Sequence, residues 1–241
     1  MSNNILFIFE GEKTEVQITD NLNKFFLNEN TIITCAYCST IYQIYKEIAE
    51  DEDLDTFNLI KNRNETNKKI LEDFERHDFA EIYMFFDYDG HDIIANDSKI
   101  NELLAFFNEE TDKGKLYLSY PMVESLKHIS DYKTFKDLKV QCKVKIGYKN
   151  IVGKTCLQNL QDFTIYKKQT WKELIVAHLS KMNYIINNSY TYPDYIAFQQ
   201  TVFIHQLNKY ISIDSTVGVL SAFPIFLHDY YGYEKLKDLI K

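Results

Sequence analysis

Twice in this chain a run of apolar residues stops abruptly on an acid and is followed closely by a glycine. The first is "ILFIFEGEKTE", Ile5 to Glu15; the second is "AEIYMFFDYDGHD", Ala80 to Asp92. Both runs are continuous rather than alternating, the pattern of a strand buried on both faces in a parallel sheet. Gly11 and Gly90 then permit turns that a β-carbon would resist. After Thr14, Val16, Ile18, Leu22, Phe25 and Phe26 recur at helical spacing in "EVQITDNLNKFF". Glu10 is therefore expected at the carboxyl end of a strand, just before a helix. In open α/β sheets that edge is where ligands bind.

The same grammar continues. "TIITCAY" reads as a second strand, and a helix starting near Ile41 runs into the charge-rich stretch from Glu47 to Lys69. "DSKINELLAFFNEE" has Asp97 as an N-cap and Ile100, Leu103, Leu104, Phe106 and Phe107 as an apolar face. "KGKLYLSYP" is a strand closed by Pro121, and "MVESLKHI" follows as a helix, since proline suits a first helical turn. Four strand-helix pairs in this order imply an α/β domain over residues 1–130, with a mostly parallel, Rossmann-like sheet flanked by helices and right-handed crossovers. From 131 to 241 the pattern changes. "LKVQCKVKIGY" reads as a strand or hairpin arm. "TWKELIVAHLSKMNYII", "PDYIAFQQTVFIHQLNKYI" and "YEKLKDLIK" read as helices, so a mainly helical C-terminal region packed on or beside the sheet is expected.

Only 7 Gly and 3 Pro in 241 residues argue for long elements and few linkers. No positively charged start with an apolar core opens the chain, and the longest apolar run, Val217 to Leu227, is interrupted by Ser221 and Pro224. It is too short to span a bilayer. Cys35, Cys38, Cys142 and Cys156 lack the paired spacing of a zinc site, and a cytoplasmic protein with reduced thiols and no membrane partner is expected. The net charge of −8 is unevenly spread. Lys127 to Lys172 carries eleven Lys against three Asp, a balance of +8 that leaves −16 for the remainder. A solvated lysine-rich face explains this as well as an electropositive strip tracking a phosphate backbone does.

Asp87, Asp89 and Asp92 follow an apolar strand, as Glu10 does. Carboxylates two apart on a strand end point to opposite sides unless the chain turns there, and Gly90 supplies a turn. Oxygen ligands of this type suit Mg²⁺ or Mn²⁺, and Mg²⁺ commonly takes one or two carboxylates plus substrate phosphates. Glu124 and His128, four apart, would share one helical face at the same edge. Glu124 is then a further metal ligand, and Lys127 or His128 a group that steadies a scissile phosphate or a leaving oxygen. A surface or supporting histidine is the bland alternative for His128, and capping is the one for Asp97. His77, His178, His205 and His228 have no evident partners and read as structural or solvated; His91 is open. "GEKT" is not a P-loop, because Glu12 stands where glycine must precede Lys13. "DYDGHD" is not an EF-hand loop, because its glycine falls at the wrong position. Neither a Ser/His/Asp nor a Cys/His arrangement emerges from the spacing.

"FIFEGEKTE" resembles the opening of a TOPRIM domain, the metal-binding fold of topoisomerases, primases and nucleases of the overcoming-lysogenization-defect type, and "FFDYDGHD" resembles its DxD motif. "EGEKTE" with the later Pro121-x-x-Glu124-x-x-x-His128 is similar to the RloB-like branch found in bacterial restriction and abortive-infection loci. The resemblance covers residues 4 to 130. It implies that Glu10 is the invariant acid, that Asp87 and Asp89 are the metal pair, and that Glu124 is a downstream acid of the nuclease-like members. "SYPMVES" departs from the Asn-Pro-aromatic form of that family. The implied activity is Mg²⁺- or Mn²⁺-dependent phosphodiester hydrolysis of DNA or RNA in phage defence, with Glu10 as ligand or general base and a separate ATPase subunit as partner. The rival expectation is a non-catalytic TOPRIM-like module that binds a partner or senses nucleic acid, which overall acidity favours. A phospho-acceptor receiver domain would need an acidic pair at the first strand, where only Glu10 precedes the glycine.

Overall fold

The computed structural model describes residues 3–27, 31–38, 40–50, 53 and 55–241. They form two compact units: residues 1–87 with 98–116, and residues 88–97 with 117–241.

In the first unit, β1 (Asn3–Phe9) is followed by α1 (Thr14–Phe26), β2 (Thr31–Tyr37), α2 (Ile41–Glu50), α3 (Thr56–Asn62), α4 (Glu65–Ile70) and β3 (Glu81–Asp87). α5 (Asp97–Phe106, in this unit from Ser98), a two-residue β4 (Asn108–Glu109) and β5 (Gly114–Ser119, in this unit as far as Leu116) complete the sheet, whose strand order is β2-β1-β3-β5-β4. β1 pairs in parallel with both β2 and β3, setting Phe9 opposite Tyr37 on one side and Phe85 on the other. Ile5 through Phe9 are completely buried, as the unbroken apolar run requires. Phe7 and Phe85 stack tilted at 5.1 Å between centroids, with Phe9 and Tyr83 against them. α1 presents Ile18, Leu22 and Phe26, four residues apart, as its buried stripe. The charge-rich stretch after α2 folds as α3 and α4, capped by Asp55 and Asn64. Asn67 in α4 is fully buried and acts as a piece of strand: its Oδ1 accepts the Tyr37 N–H at 2.9 Å and its Nδ2 donates to the Tyr37 carbonyl at 2.7 Å. The unit is thus α/β with a mostly parallel sheet, compatible with a Rossmann-like fold; β4 and β5 are antiparallel.

The second unit contains β6 (Lys139–Gln141), α6 (Tyr148–Thr155), α7 (Lys168–Asn187), α8 (Gln199–Gln206), α9 (Ser212–Asp214), β7 (Thr216–Gly218), α10 (Ala222–Tyr231) and α11 (Tyr233–Leu239). β6 and β7 pair antiparallel. α8 runs into a π-helical turn, Leu207–Ile211, and buried Gln206 repeats the Asn67 device by accepting the Gly218 N–H at 2.9 Å and donating to its carbonyl at 2.8 Å. α7 carries two buried polar residues. His178 Nδ1 accepts the Ser221 N–H and Nε2 donates to the Leu126 carbonyl, each at 3.2 Å. Lys181 donates to the carbonyls of Phe135 and Leu138, and burial pushes its ammonium far below the ordinary lysine range.

The sequence reading and this architecture part in four places. The 130/131 boundary does not coincide with the division into units, because residues 117–130 belong with the C-terminal elements: Tyr120 and Leu220 exchange backbone bonds at 2.8 and 3.0 Å, and Ser125 Oγ reaches the Leu220 carbonyl. "MVESLKHI" forms a five-residue 3-10 turn, Val123–Lys127, closed by bonds from Ser125 to Met122 and from His128 to Ser125. The helix expected from Pro193 starts at Gln199. Asp97 is the first residue of α5, and its carboxylate binds Tyr88 and Lys143. Among the described residues, no helix is long and apolar enough to cross a membrane.

Candidate functional site

Each unit gathers acids of its own. In the first, the parallel register sets Phe9, the last residue of β1, opposite Phe85, two residues before the end of β3. The Glu10 carboxylate accepts the Asp87 N–H at 3.2 Å, and Asp87 itself is buried. Gly11 leaves room here for the Glu15 carboxylate. A β-carbon on it would lie 2.9 Å from Oε2 of Glu15, whose Oε1 accepts the Gly11 N–H at 3.3 Å. Glu15, buried in the first turn of α1, is a participant that the sequence reading passed over. Its signal was an acid four residues after the glycine.

In the second unit the chain turns sharply just beyond Asp87. Asp89 adopts a left-handed backbone, φ 40°, a conformation Asp tolerates better than most residues. A turn closed by the Asp92 N–H on the Asp89 carbonyl at 3.0 Å then runs through Gly90 and His91, as expected from the glycine. Gly90 is needed because a β-carbon there would lie 2.5 Å from the Tyr88 ring. That ring is fully buried, and its hydroxyl donates to Asp97 at 2.5 Å. Lys143 Nζ binds the Tyr88 hydroxyl at 2.9 Å and both Asp97 oxygens at 2.9 and 3.0 Å. The Asp89 N–H reaches back to the Pro121 carbonyl at 3.4 Å. Loop and 3-10 turn are thereby joined.

The consequence is a pair of carboxylates, Glu124 buried and Asp89 half-buried. Glu124 is 6% exposed; its Oε1 lies 3.4 Å from Lys149 Nζ and its Oε2 has no hydrogen-bond partner. Asp89 Oδ1 likewise has none, and His91 Nδ1 stands 3.8 Å from it. Burial raises the Asp89 carboxyl above the usual range; His91 and Lys149 oppose that, while Asp92 and Glu124 add to it. Asp92 is turned to its own loop, accepting the Ile94 N–H at 3.1 Å. The two basic candidates are engaged elsewhere. Lys127 donates to the Gln161 carbonyl at 3.0 Å and lies over the Phe163 ring. His128 is buried, with Nδ1 2.9 Å from the Tyr148 hydroxyl, and burial, aided by Lys181, lowers its pKa to about 4. Glu124 and His128 do not share a helical face, because a 3-10 turn repeats every three residues rather than every 3.6.

Beside Asp89 opens a cavity of about 290 Å³, walled by Pro121, Met122, Val144, Ile146 and Tyr148. Gln141, Asn150, Lys145 and Lys149 border it, and all but Gln141 come from the loop and first turn leading into α6.

Among the described residues, no group of three or more His, Cys, Asp and Glu side chains is gathered to cage a cation. The donors fit a different kind of centre. Two buried carboxylate oxygens without hydrogen bonds are hard donors of the number that Mg²⁺ typically takes from protein, the rest being water and substrate phosphate. No protein-family model, curated protein or solved structure matches the chain.

Proposed function

We propose that this protein is a TOPRIM-type, metal-dependent phosphodiester hydrolase acting on nucleic acid, with Asp89 and Glu124 as ligands of Mg²⁺ or Mn²⁺. The observation that carries this reading is the pair of buried carboxylate oxygens that make no hydrogen bond. A buried carboxylate oxygen that makes no hydrogen bond has given up its hydration without replacing it. A divalent ion removes that cost. When bound it supplies Lewis-acid polarisation of the phosphodiester. The chain's own part is positional. The Tyr88–Asp97–Lys143 cluster fixes the loop that carries Asp89, and Lys149 holds Glu124 from its other oxygen. The TOPRIM resemblance adds Glu10, Asp87 and Asp92 to the acids involved, and with them a role in phage defence beside a separate ATPase subunit.

Titration calorimetry with Mn²⁺ tests the site, and cleavage of DNA and RNA with Mn²⁺ or Mg²⁺ tests the activity. Wild type binds and cleaves; Asp89→Asn and Glu124→Gln lose binding, and they and Asp87→Ala lose cleavage. Unchanged Mn²⁺ affinity in both Asp89→Asn and Glu124→Gln would overturn the ligand assignment. The rival reading, a non-catalytic module that binds a partner or senses nucleic acid, is favoured by the net charge of −8 and the lack of a three-donor group among the described residues. Ion binding without cleavage of any nucleic acid would decide for it.

A further inference from the structure

We propose that the cavity beside Asp89 receives one unpaired base of a nucleic-acid strand, so that the protein selects single-stranded over duplex substrate. The link to cleavage rests on the hydrolase reading; the binding itself does not. Pro121, Met122, Val144, Ile146 and the Tyr148 ring give apolar walls, and Tyr148 is fixed by its bond to His128 and by edge-on packing with that ring at 5.2 Å. Val144 is 56% exposed, an apolar side chain at the rim that a ligand would cover. Against these walls stand two primary amides, Gln141 and Asn150, and two cations, Lys145 and Lys149. A bare ion or inorganic phosphate has no use for apolar walls, and an apolar side chain has no use for paired amides and lysines. A nucleotide needs all three: flat apolar faces, an edge of mixed donors and acceptors, and a phosphate. At about 290 Å³ the space suits a base with its sugar rather than a base pair. Lys149 borders the cavity and also pairs with Glu124 at 3.4 Å, so a nucleotide seated here would have its phosphate beside the candidate ion site.

The test is fluorescence anisotropy in EDTA, which separates binding from any metal chemistry. Labelled DNA and RNA single strands are compared with duplexes of the same sequence and with abasic strands of the same length. Single strands with bases should bind about tenfold or more tightly than either control, the scale of one well-seated base. Adenosine monophosphate should displace them where ribose 5-phosphate does not. Val144→Asp, at an exposed position, should remove most of the preference. Equal affinity for abasic strands, or displacement by ribose 5-phosphate as readily as by the nucleotide, would reduce the site to lysines meeting phosphates and overturn the proposal. So would an absence of binding by both DNA and RNA. Base preference retained in a protein that neither binds Mn²⁺ nor cleaves would uphold the pocket and sink the hydrolase reading alone.

Discussion

The backbone N–H of Asp87 donates to the Glu10 carboxylate at 3.2 Å, joining the ends of two parallel strands that lie 77 residues apart in sequence. The acid that closes the first apolar run thus braces the residue that closes the second. Register explains it: Phe9 stands opposite Phe85, so Glu10, just past the end of β1, comes alongside the last residues of β3. The repeated sequence pattern of apolar run and acid is one physical contact seen from both sides.

Removing that acceptor should therefore loosen the first unit. Glu10→Ala is expected to cost about 1.5–3 kcal/mol, the range for a hydrogen bond to a charged group. Glu10→Gln keeps an oxygen in place and should cost less than half as much. Urea denaturation of the three proteins gives the comparison. Equal losses in both variants would show that the carboxylate charge, rather than this bond, is what stabilises.

For Asp89 the direction is opposite. Its carboxyl is raised by burial, so its charged form opposes folding, and stability without metal falls as pH rises through the raised value. Asp89→Asn should then raise the melting temperature of the metal-free protein at neutral pH and flatten that dependence. Mg²⁺ at a hundredfold excess over its Kd should stabilise wild type by about 2.7 kcal/mol, or roughly 5–10 °C. The variant should show no such shift. A thermal scan with and without the ion reads both effects.

Much of the first unit was legible in the sequence because its strands are continuous apolar runs and α1 keeps a four-residue stripe. What was not legible depended on distant partners. Nothing local distinguishes "MVESLKHI" as a 3-10 turn, since five residues are too few to separate a period of 3.0 from 3.6. His178 reads as a solvated or structural histidine until Leu126 and Ser221, 52 and 43 residues away, are seen to claim its two nitrogens. Of the candidate acids, Glu10 and Asp87 come together in one unit and Asp89 and Glu124 in the other. The grouping of Asp89 with Glu124 follows from the left-handed turn at Asp89 and its backbone bond to Pro121, neither of which has a sequence signature.

That histidine sets an acid limit. His178 must stay neutral, because one nitrogen accepts an amide proton; burial lowers its pKa to about 3, and lowers those of His128 and His228 to about 4. With folded values below an unfolded value near 6.5, the unfolded chain binds more protons between them. Stability should therefore decline as pH falls below about 6.5 and continue to decline towards 4, with each histidine contributing up to about 1.4 kcal/mol per pH unit. His178→Phe should cost about 1–3 kcal/mol at pH 7, by leaving the Ser221 N–H and Leu126 carbonyl unpaired. It should also lower the acid slope by one proton. Denaturation midpoints at pH 7, 6 and 5 measure both.

Gly90 has no room for a side chain. A β-carbon there would stand 2.5 Å from the Tyr88 ring, and the ring cannot swing aside without breaking its bonds to Asp97 and Lys143. Gly90→Ala should cost about 1–3 kcal/mol, the range for overpacking. In a Tyr88→Ala background the same substitution should cost much less, because the clash is gone; a double-mutant cycle gives that coupling directly. Amide exchange across residues 89–95 should speed up in Gly90→Ala, and Mn²⁺ affinity should drop although no carboxylate has been touched. A variant with wild-type exchange and affinity would mean that the ring yields freely, and the Tyr88–Asp97–Lys143 cluster would then not be what holds Asp89 in its left-handed turn.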